Sequence, residues 1–186
     1  MLRITVPGKP EGELWDEQKQ EFVYIPEVKE QTLQLEHSLV SLSKWESKWC
    51  KSFLAHSKDL TDEEIIDYIR CMTITQNVNP SVYYNLSQGN VNAINEYINA
   101  PMTATILPKQ HRQKNREVVT SELIYYWMIS LNIPFECQKW HLNRLITLIQ
   151  LCNVKNTPPK KTSRRALTSK YAAMNAANRA RFNSKG

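Results

Sequence analysis

The spacing of apolar side chains changes character near His37. Before that point RITV, ELW, FVYI and TLQLE are short runs of β-branched and aromatic residues with partial two-residue alternation, which predicts strands. The polar DEQKQ between ELW and FVYI predicts a hairpin loop. Pro7, Pro10 and Pro26 confine these strands to a small or edge-rich sheet, because proline has no N–H to give a ladder. Beyond His37 the period becomes helical. Leu39, Leu42, Trp45, Trp49 and Phe53 share one face, while Lys44, Ser47, Lys48 and Lys51 point elsewhere.

Thr61 and Glu64 in TDEE form a capping-box pattern, and Ile65, Tyr68, Ile69 and Met72 continue it as an apolar stripe to about Thr75. NVNPSVYYNLSQGN reads as a loop punctuated by Pro80 and Gly89, and VNAINEYINA as a short helix ending before Pro101. The stretch TATILPKQHRQKNRE is a basic connector. A helix follows from Thr120 or Ser121 with Leu123, Ile124, Trp127, Met128 and Leu131 inward, and Pro134 opens the next one. The pattern as a whole predicts an α+β chain. Residues 1–36 form a small N-terminal antiparallel sheet of roughly three or four strands, about five helices follow to residue 157, and residues 158–186 make a flexible basic tail.

The run that most resembles chemistry is FECQKWHLNRLITLIQLC, residues 135–152. On a helical wheel His141 falls inside the arc of Leu142, Leu145, Ile146, Leu148 and Ile149, with Cys137 and Cys152 near the same stripe. Cys137 and His141 are four residues apart and could share a metal ion, but Cys152 lies ~16 Å further along the axis. The remaining ligands would have to come from Cys50, Cys71, His37, His56 or His111, none at zinc-like spacing. A core helix with a neutral, backbone-bonded His141 and buried thiols is the simpler reading.

Other constellations are no stronger. Asp62, Glu63, Glu64 and Asp67 suit a solvated helix start. Trp45 and Trp49 with Lys44, Lys48 and Lys51 could stack bases and neutralise phosphates, yet both tryptophans share the stripe of Leu42 and Phe53. No GxGxxG or GxxxxGK loop occurs in a chain with only 4 glycines. These readings predict a protein that is not an enzyme and needs no cofactor or metal.

Charge adds an asymmetry. The chain has 24 Lys and Arg against 18 Asp and Glu, and nine of those cations lie in residues 155–186 with no acidic residue. The first 154 residues thus hold 15 cations against 18 carboxylates, a net of −3. The tail's Arg164, Arg165, Lys170, Arg179 and Arg181 suit phosphate neutralisation. Leu167, Tyr171, Met174 and Phe182 fall roughly on one side of a helix and suit folding onto a protein partner. No apolar run reaches the ~20 residues of a membrane span, and MLRITVPGKPEGELW has no apolar leader segment, so a cytosolic protein with reduced thiols is expected.

Four stretches together resemble the tail-assembly chaperones of long-tailed bacteriophages: LEHSLVSLSKWESKWCKSFL (35–54), IIDYIRCMTI (65–74), ELIYYWMISLNIPFECQKWHLNRLITLI (122–149) and AAMNAANRARFNSKG (172–186). The resemblance spans nearly the whole chain and carries no diagnostic chemical motif. It implies a non-enzymatic protein of the infected cell's cytoplasm that binds the long apolar tape-measure protein, assists tail-tube polymerisation and is absent from the finished virion. It also implies a longer frameshifted form joined near Pro158. No binding residue carries over from it. On exposure and apolarity alone, Trp45, Trp49, Tyr125, Tyr126 and Trp140 are the candidates for client contact or self-association. The alternatives are a DNA- or RNA-associated phage protein acting through the tail, and a head–tail connector retained in the particle.

Overall fold

In the computed structural model, residues 1–17, 20–25, 27–57, 59–107, 117–156 and 164–183 are described. The chain is α+β. It divides into two units, Met1–Asn153 and Val154–Gly186, a few residues before the boundary expected at 157.

The first unit opens with strands β1 (Leu2–Val6), β2 (Gly12–Asp16), β3 (Glu21–Ile25) and β4 (Gln31–Leu35). They pair antiparallel as two separate two-stranded ladders, β1 with β4 and β2 with β3. One register runs through both: Leu2 faces Leu35, Lys9 faces Val28 and Gly12 faces Ile25. The region is therefore a single long hairpin. Its ladder lapses around Pro7 and Pro10, which lack the donor a continuous ladder needs. Gly8 sits where a Cβ would meet Val28 O and Glu30 N at 3.0 Å, so a larger residue there would push the two arms apart. Pro26 lies outside the described residues.

At the base of the hairpin, Ile4, Val6, Leu33 and Leu35 alternate inward and are buried. They pack into one core with helices α1 (Leu39–Trp49), α3 (Asp62–Met72), α4 (Gln88–Asn99), α5 (Ser121–Ser130) and α6 (Leu142–Asn156). The expected starts of α3 and α5 are found at Thr61 and Thr120, whose side-chain oxygens accept from Glu64 N and Leu123 N. α4 begins earlier than expected, because Ser87 and Asn90 form a capping box of their own.

Two expected helices are shorter than their apolar stripes. The stripe from Leu39 to Phe53 breaks at Cys50, whose φ of 51° is left-handed and ends α1, so Phe53 starts a separate short helix, α2 (Phe53–His56). The helix expected from Pro134 is a 3-10 turn over Phe135–Lys139, followed by a break at Trp140–His141 before α6. His141 is held out of helical geometry by pairing with Ser38, and the amide of Leu142 donates to His37 O at 2.7 Å. Of the expected loop at 77–90, Pro80–Asn85 is also a 3-10 turn, with proline in its first turn.

The second unit holds helix α7 (Arg164–Phe182). A flexible segment is expected here, and the structure has a 19-residue helix. Six alanines and the lack of any glycine or proline between 164 and 182 account for it. Among the described residues there are seven α-helices where about five are expected. The additions are α2, cut off by Cys50, and α7.

Candidate partner-binding surfaces

Trp45 and Trp49 lie at the α1–α3 seam. Trp45 is fully buried, and its Nε1 donates to Glu64 O at 2.9 Å. It stacks near Trp49 and meets Phe53 and Tyr68 edge-on. Trp45 is therefore core, and its expected place among client-contacting residues is corrected: a long helix stripe faces whatever helix packs on it first, here α3. Trp49 is half-buried, with its Nε1 donating to Asp67 Oδ2 at 2.9 Å. Lys48 and Lys51 reach Asp67 Oδ1 and Glu64 Oε1, each at 2.6 Å. These ion pairs hold both carboxyls below their ordinary range, chiefly through the Lys51 bond for Glu64; for Asp67, burial pushes the other way and the Lys48 and Trp49 bonds outweigh it. Two of the three lysines expected to face phosphates, Lys48 and Lys51, thus face carboxylates of this same chain.

A carboxylate that the sequence reading passed over sits beside them. Glu46 is buried on α1 and accepts from Phe53 N at 3.0 Å and from Ser121 N at 2.6 Å. Those are the first residues of α2 and α5, so one side chain fastens two positively polarised helix starts. Nothing in the spacing around Glu46 announces this, because both partners are brought in by the fold.

Cys137 and His141 of the Cys–His stretch are interior. His141 is buried; its Nδ1 lies 3.3 Å from the Asn143 amide that donates to it, which assigns the proton to Nε2, and Nε2 lies 2.9 Å from Tyr97 O. His37, equally buried, lies 2.6 Å from the Tyr68 hydroxyl, with its ring centroid 5.2 Å from that of His141. Burial, reinforced by the neighbouring His141, pushes the His37 pKa down to about 3; burial also lowers that of His141. Burial raises the pKa of Cys137, the opposite of an activated thiol. Among the described residues no group of three or more His, Cys, Asp or Glu is placed to hold a metal ion. His111 lies outside them.

One group of exposed apolar side chains lies at the α5 edge. Tyr126 and Ile129 stand 63% and 60% exposed one helical turn apart, and Phe135, 54% exposed, follows on the 3-10 turn. Tyr125 connects them: it is half-buried, its ring 6.5 Å from Phe135, its hydroxyl donating to Gln138 Oε1 at 2.9 Å. Tyr126 is thus where the sequence reading expects it, while Ile129 and Phe135 were missed. The signal was present, since Ile129 follows Tyr125 by four and Tyr126 by three. Trp140 is half-buried under the Arg144 guanidinium at 4.1 Å. It borders a cleft of about 260 Å³ shared with Met1, Met102, Lys139, Arg144 and Glu36.

A second aromatic surface was also missed. Trp15 faces Phe22 across β2–β3, the rings 4.9 Å apart edge to face, and Tyr24 faces Glu13 on the same side of the ladder. All three rings are largely exposed, and Tyr24 donates to Glu11 Oε2 at 2.8 Å. Two-residue alternation could have put Trp15, Phe22 and Tyr24 on one face, given the register.

On α7 Arg164, Arg165, Lys170, Tyr171, Met174, Arg179, Arg181 and Phe182 are all exposed, as is Leu167. At ~100° per residue Leu167, Tyr171, Met174, Asn178 and Phe182 fall within one arc of ~80°. Arg164 shares the Phe182 edge of that arc, Lys170 and Arg181 border the other edge, and Arg179 and Arg165 lie well beyond Phe182. Arg181 lies over the Phe182 ring at 5.5 Å. Residues 108–116 of the basic connector at 103–117, and residues 157–163, lie outside the described residues.

Comparison with known protein families, curated proteins and solved structures finds no match for this chain. Among the described residues no helix is long and apolar enough to cross a membrane.

Proposed function

We propose that the protein is a non-catalytic client-binding protein, a tail-assembly chaperone of a long-tailed bacteriophage acting in the cytoplasm of the infected host. Its client on this reading is the apolar tape-measure protein, which it keeps available for polymerising tail-tube subunits. The observation that carries the reading is the α5 edge: Tyr126 and Ile129 stand exposed one helical turn apart, and exposed Phe135 lies near the neighbouring Tyr125 ring. A holdase needs such a surface and no reacting groups, and binding the client's unfolded segments retains them by mass action. The resemblance of residues 35–54, 65–74, 122–149 and 172–186 to that group supplies the identity of the client.

The test is co-expression of the tape-measure protein with this chain or with a Tyr126→Asp/Ile129→Asp/Phe135→Asp variant. The wild type is expected to carry the client into the soluble fraction and the variant to leave it in the pellet. Equal solubility with both, or recovery of the chain in purified virions, overturns the reading. A second reading, nucleic-acid binding through α7, is favoured by its five cations without a carboxylate. It predicts retention of duplex DNA that falls steeply with salt.

A further inference from the structure

We infer that α7 is one strand of a helix pair whose missing strand is an acidic amphipathic helix on another protein. The inference goes beyond the client-binding reading and does not rest on it, since that reading is carried by the α5 edge.

Four observations on α7 lead here. Leu167, Tyr171, Met174 and Asn178 follow one another at spacings of four, three and four, which is the seam of a coiled coil. The arc they occupy is narrow, as a helix–helix seam is, whereas a helix lying in a bilayer interface shows a broad apolar face. Asn178 stands within that arc, at the kind of seam position where a polar residue sets register against a partner helix. Finally, Lys170 and Arg181 sit along one border of the seam, so a group that neutralises them also lies against the apolar side chains. A phosphate backbone offers no apolar surface to do so. Continuing the same spacing by three residues at each end reaches Arg164 and Arg181, so a second α7 would set arginine against arginine, and residues 155–186 contain no acidic side chain to relieve that repulsion.

The same molecule shows how such a face is satisfied. The apolar seam of α1 has Lys48 beside it and Lys51 just past the helix end, and the helix packed against it is α3, which begins with three consecutive carboxylates. Its Asp67 and Glu64 take Lys48 and Lys51 at 2.6 Å, while its Tyr68 and Ile69 lie buried in the core with Trp45. An amphipathic helix with carboxylates flanking its apolar stripe is therefore the partner chemistry that matches α7 in both charge and shape. Coupled docking of this kind uses the anchors at i, i+4 and i+7 on one face.

The experiment measures fluorescence anisotropy of labelled synthetic peptides with the purified full-length protein at physiological salt. The probes are a helical peptide with a leucine seam flanked by glutamates, the same peptide flanked by lysines, and a scramble of the first. Duplex DNA and anionic phospholipid vesicles are run alongside. The glutamate-flanked peptide is expected to bind and the other two peptides are not. Met174→Asp, which sets a carboxylate in the seam, should weaken binding about tenfold or more, while Ala173→Glu on the opposite face changes it less than about twofold. Reversing one border with Lys170→Glu and Arg181→Glu should transfer the preference to the lysine-flanked peptide. Unchanged far-ultraviolet circular dichroism shows that these variants keep their helix content, α7 included. Equal binding of the glutamate-flanked and scrambled peptides overturns the inference, as does a charge-reversed variant that keeps the original preference. Binding confined to DNA or vesicles also overturns it and assigns α7 to a phosphate surface.

Discussion

Helix α1 lines Leu39, Leu42, Trp45 and Trp49 along one side with Lys44 and Lys48 nearby, and helix α7 lines Leu167, Tyr171, Met174 and Phe182 along one side with Lys170, Arg179 and Arg181 nearby. In α1 that face packs beneath α3, where Lys48 finds Asp67 and Lys51, just past the helix end, finds Glu64. In α7 every described side chain remains exposed. The difference teaches that periodicity and flanking charge specify a surface, while its use depends on whether the chain also supplies the complementary helix. For α1 it does, a dozen residues later. For α7 the unit from Val154 to Gly186 contains no acidic residue at all.

Substitutions along the two faces should separate accordingly. The largest effect is expected at the centre of the α1 seam. Trp45→Ala removes a fully buried indole and its bond to Glu64 O, and should cost about 4 kcal/mol in denaturant unfolding. Tyr171→Ala, the matching aromatic of α7, should leave the body's stability within about 0.5 kcal/mol. A comparable loss from both would mean that α7 is not the unpartnered face it is taken to be.

Next in size is Glu46→Ala, which strands the amides of Phe53 and Ser121 inside the protein and should cost about 3 kcal/mol by the same measurement. Glu46→Gln, which keeps one acceptor oxygen, should recover part of that. If both variants unfold like wild type, the clamp between α2 and α5 contributes nothing.

A pH effect comes third. His37 takes up a proton near 6.5 when unfolded and only at about 3 when folded. Above pH 6.5 both states are neutral there and the full stability is present; below it the unfolded state alone binds the proton, so stability falls as pH falls towards 3. Between pH 6.5 and 5 this amounts to about 2 kcal/mol, and the downward shift at His141 adds in the same direction. Unfolding curves across that range should show the decline. A flat profile would place His37 in contact with water. The α7 segment holds no histidine or carboxylate and should add nothing to the slope.

The smallest effect belongs to the charges at the seam. Lys48→Ala leaves a half-exposed pair and should cost less than about 1 kcal/mol. Asp67→Ala should cost more, since Trp49 Nε1 loses its acceptor as well as Lys48 its counter-ion. Equal losses would show the indole bond to be unimportant.

Much of this architecture is legible in the residues, and the failures have physical causes. The capping boxes at Thr61 and the helix start at Thr120 were readable because a cap is a local contest among a few amides. Tyr126 was readable as exposed because it sits off the Ile124–Met128 face of α5. Trp45 was misplaced because a stripe does not say which neighbour covers it. The break at His141 was missed because a partner more than a hundred residues earlier, Ser38, pulls that backbone out of the helix.

By itself, then, the amino-acid order determined the local matters. It set the change from two-residue to helical periodicity near His37, the caps, the alanine-rich run that makes α7 a helix, and the confinement of unopposed cations to the last part of the chain. Each depends on interactions within a few residues, or on composition. Only the tertiary structure decided that one register carries the long hairpin and brings Trp15, Phe22 and Tyr24 together on its outer half. It alone joined Glu46 to two distant helix starts, shut His37 and His141 away from water, and buried one cation-bordered stripe while leaving another bare. Those outcomes depend on which surfaces meet, and pairings between distant segments are set by competition among all the faces the chain can bury.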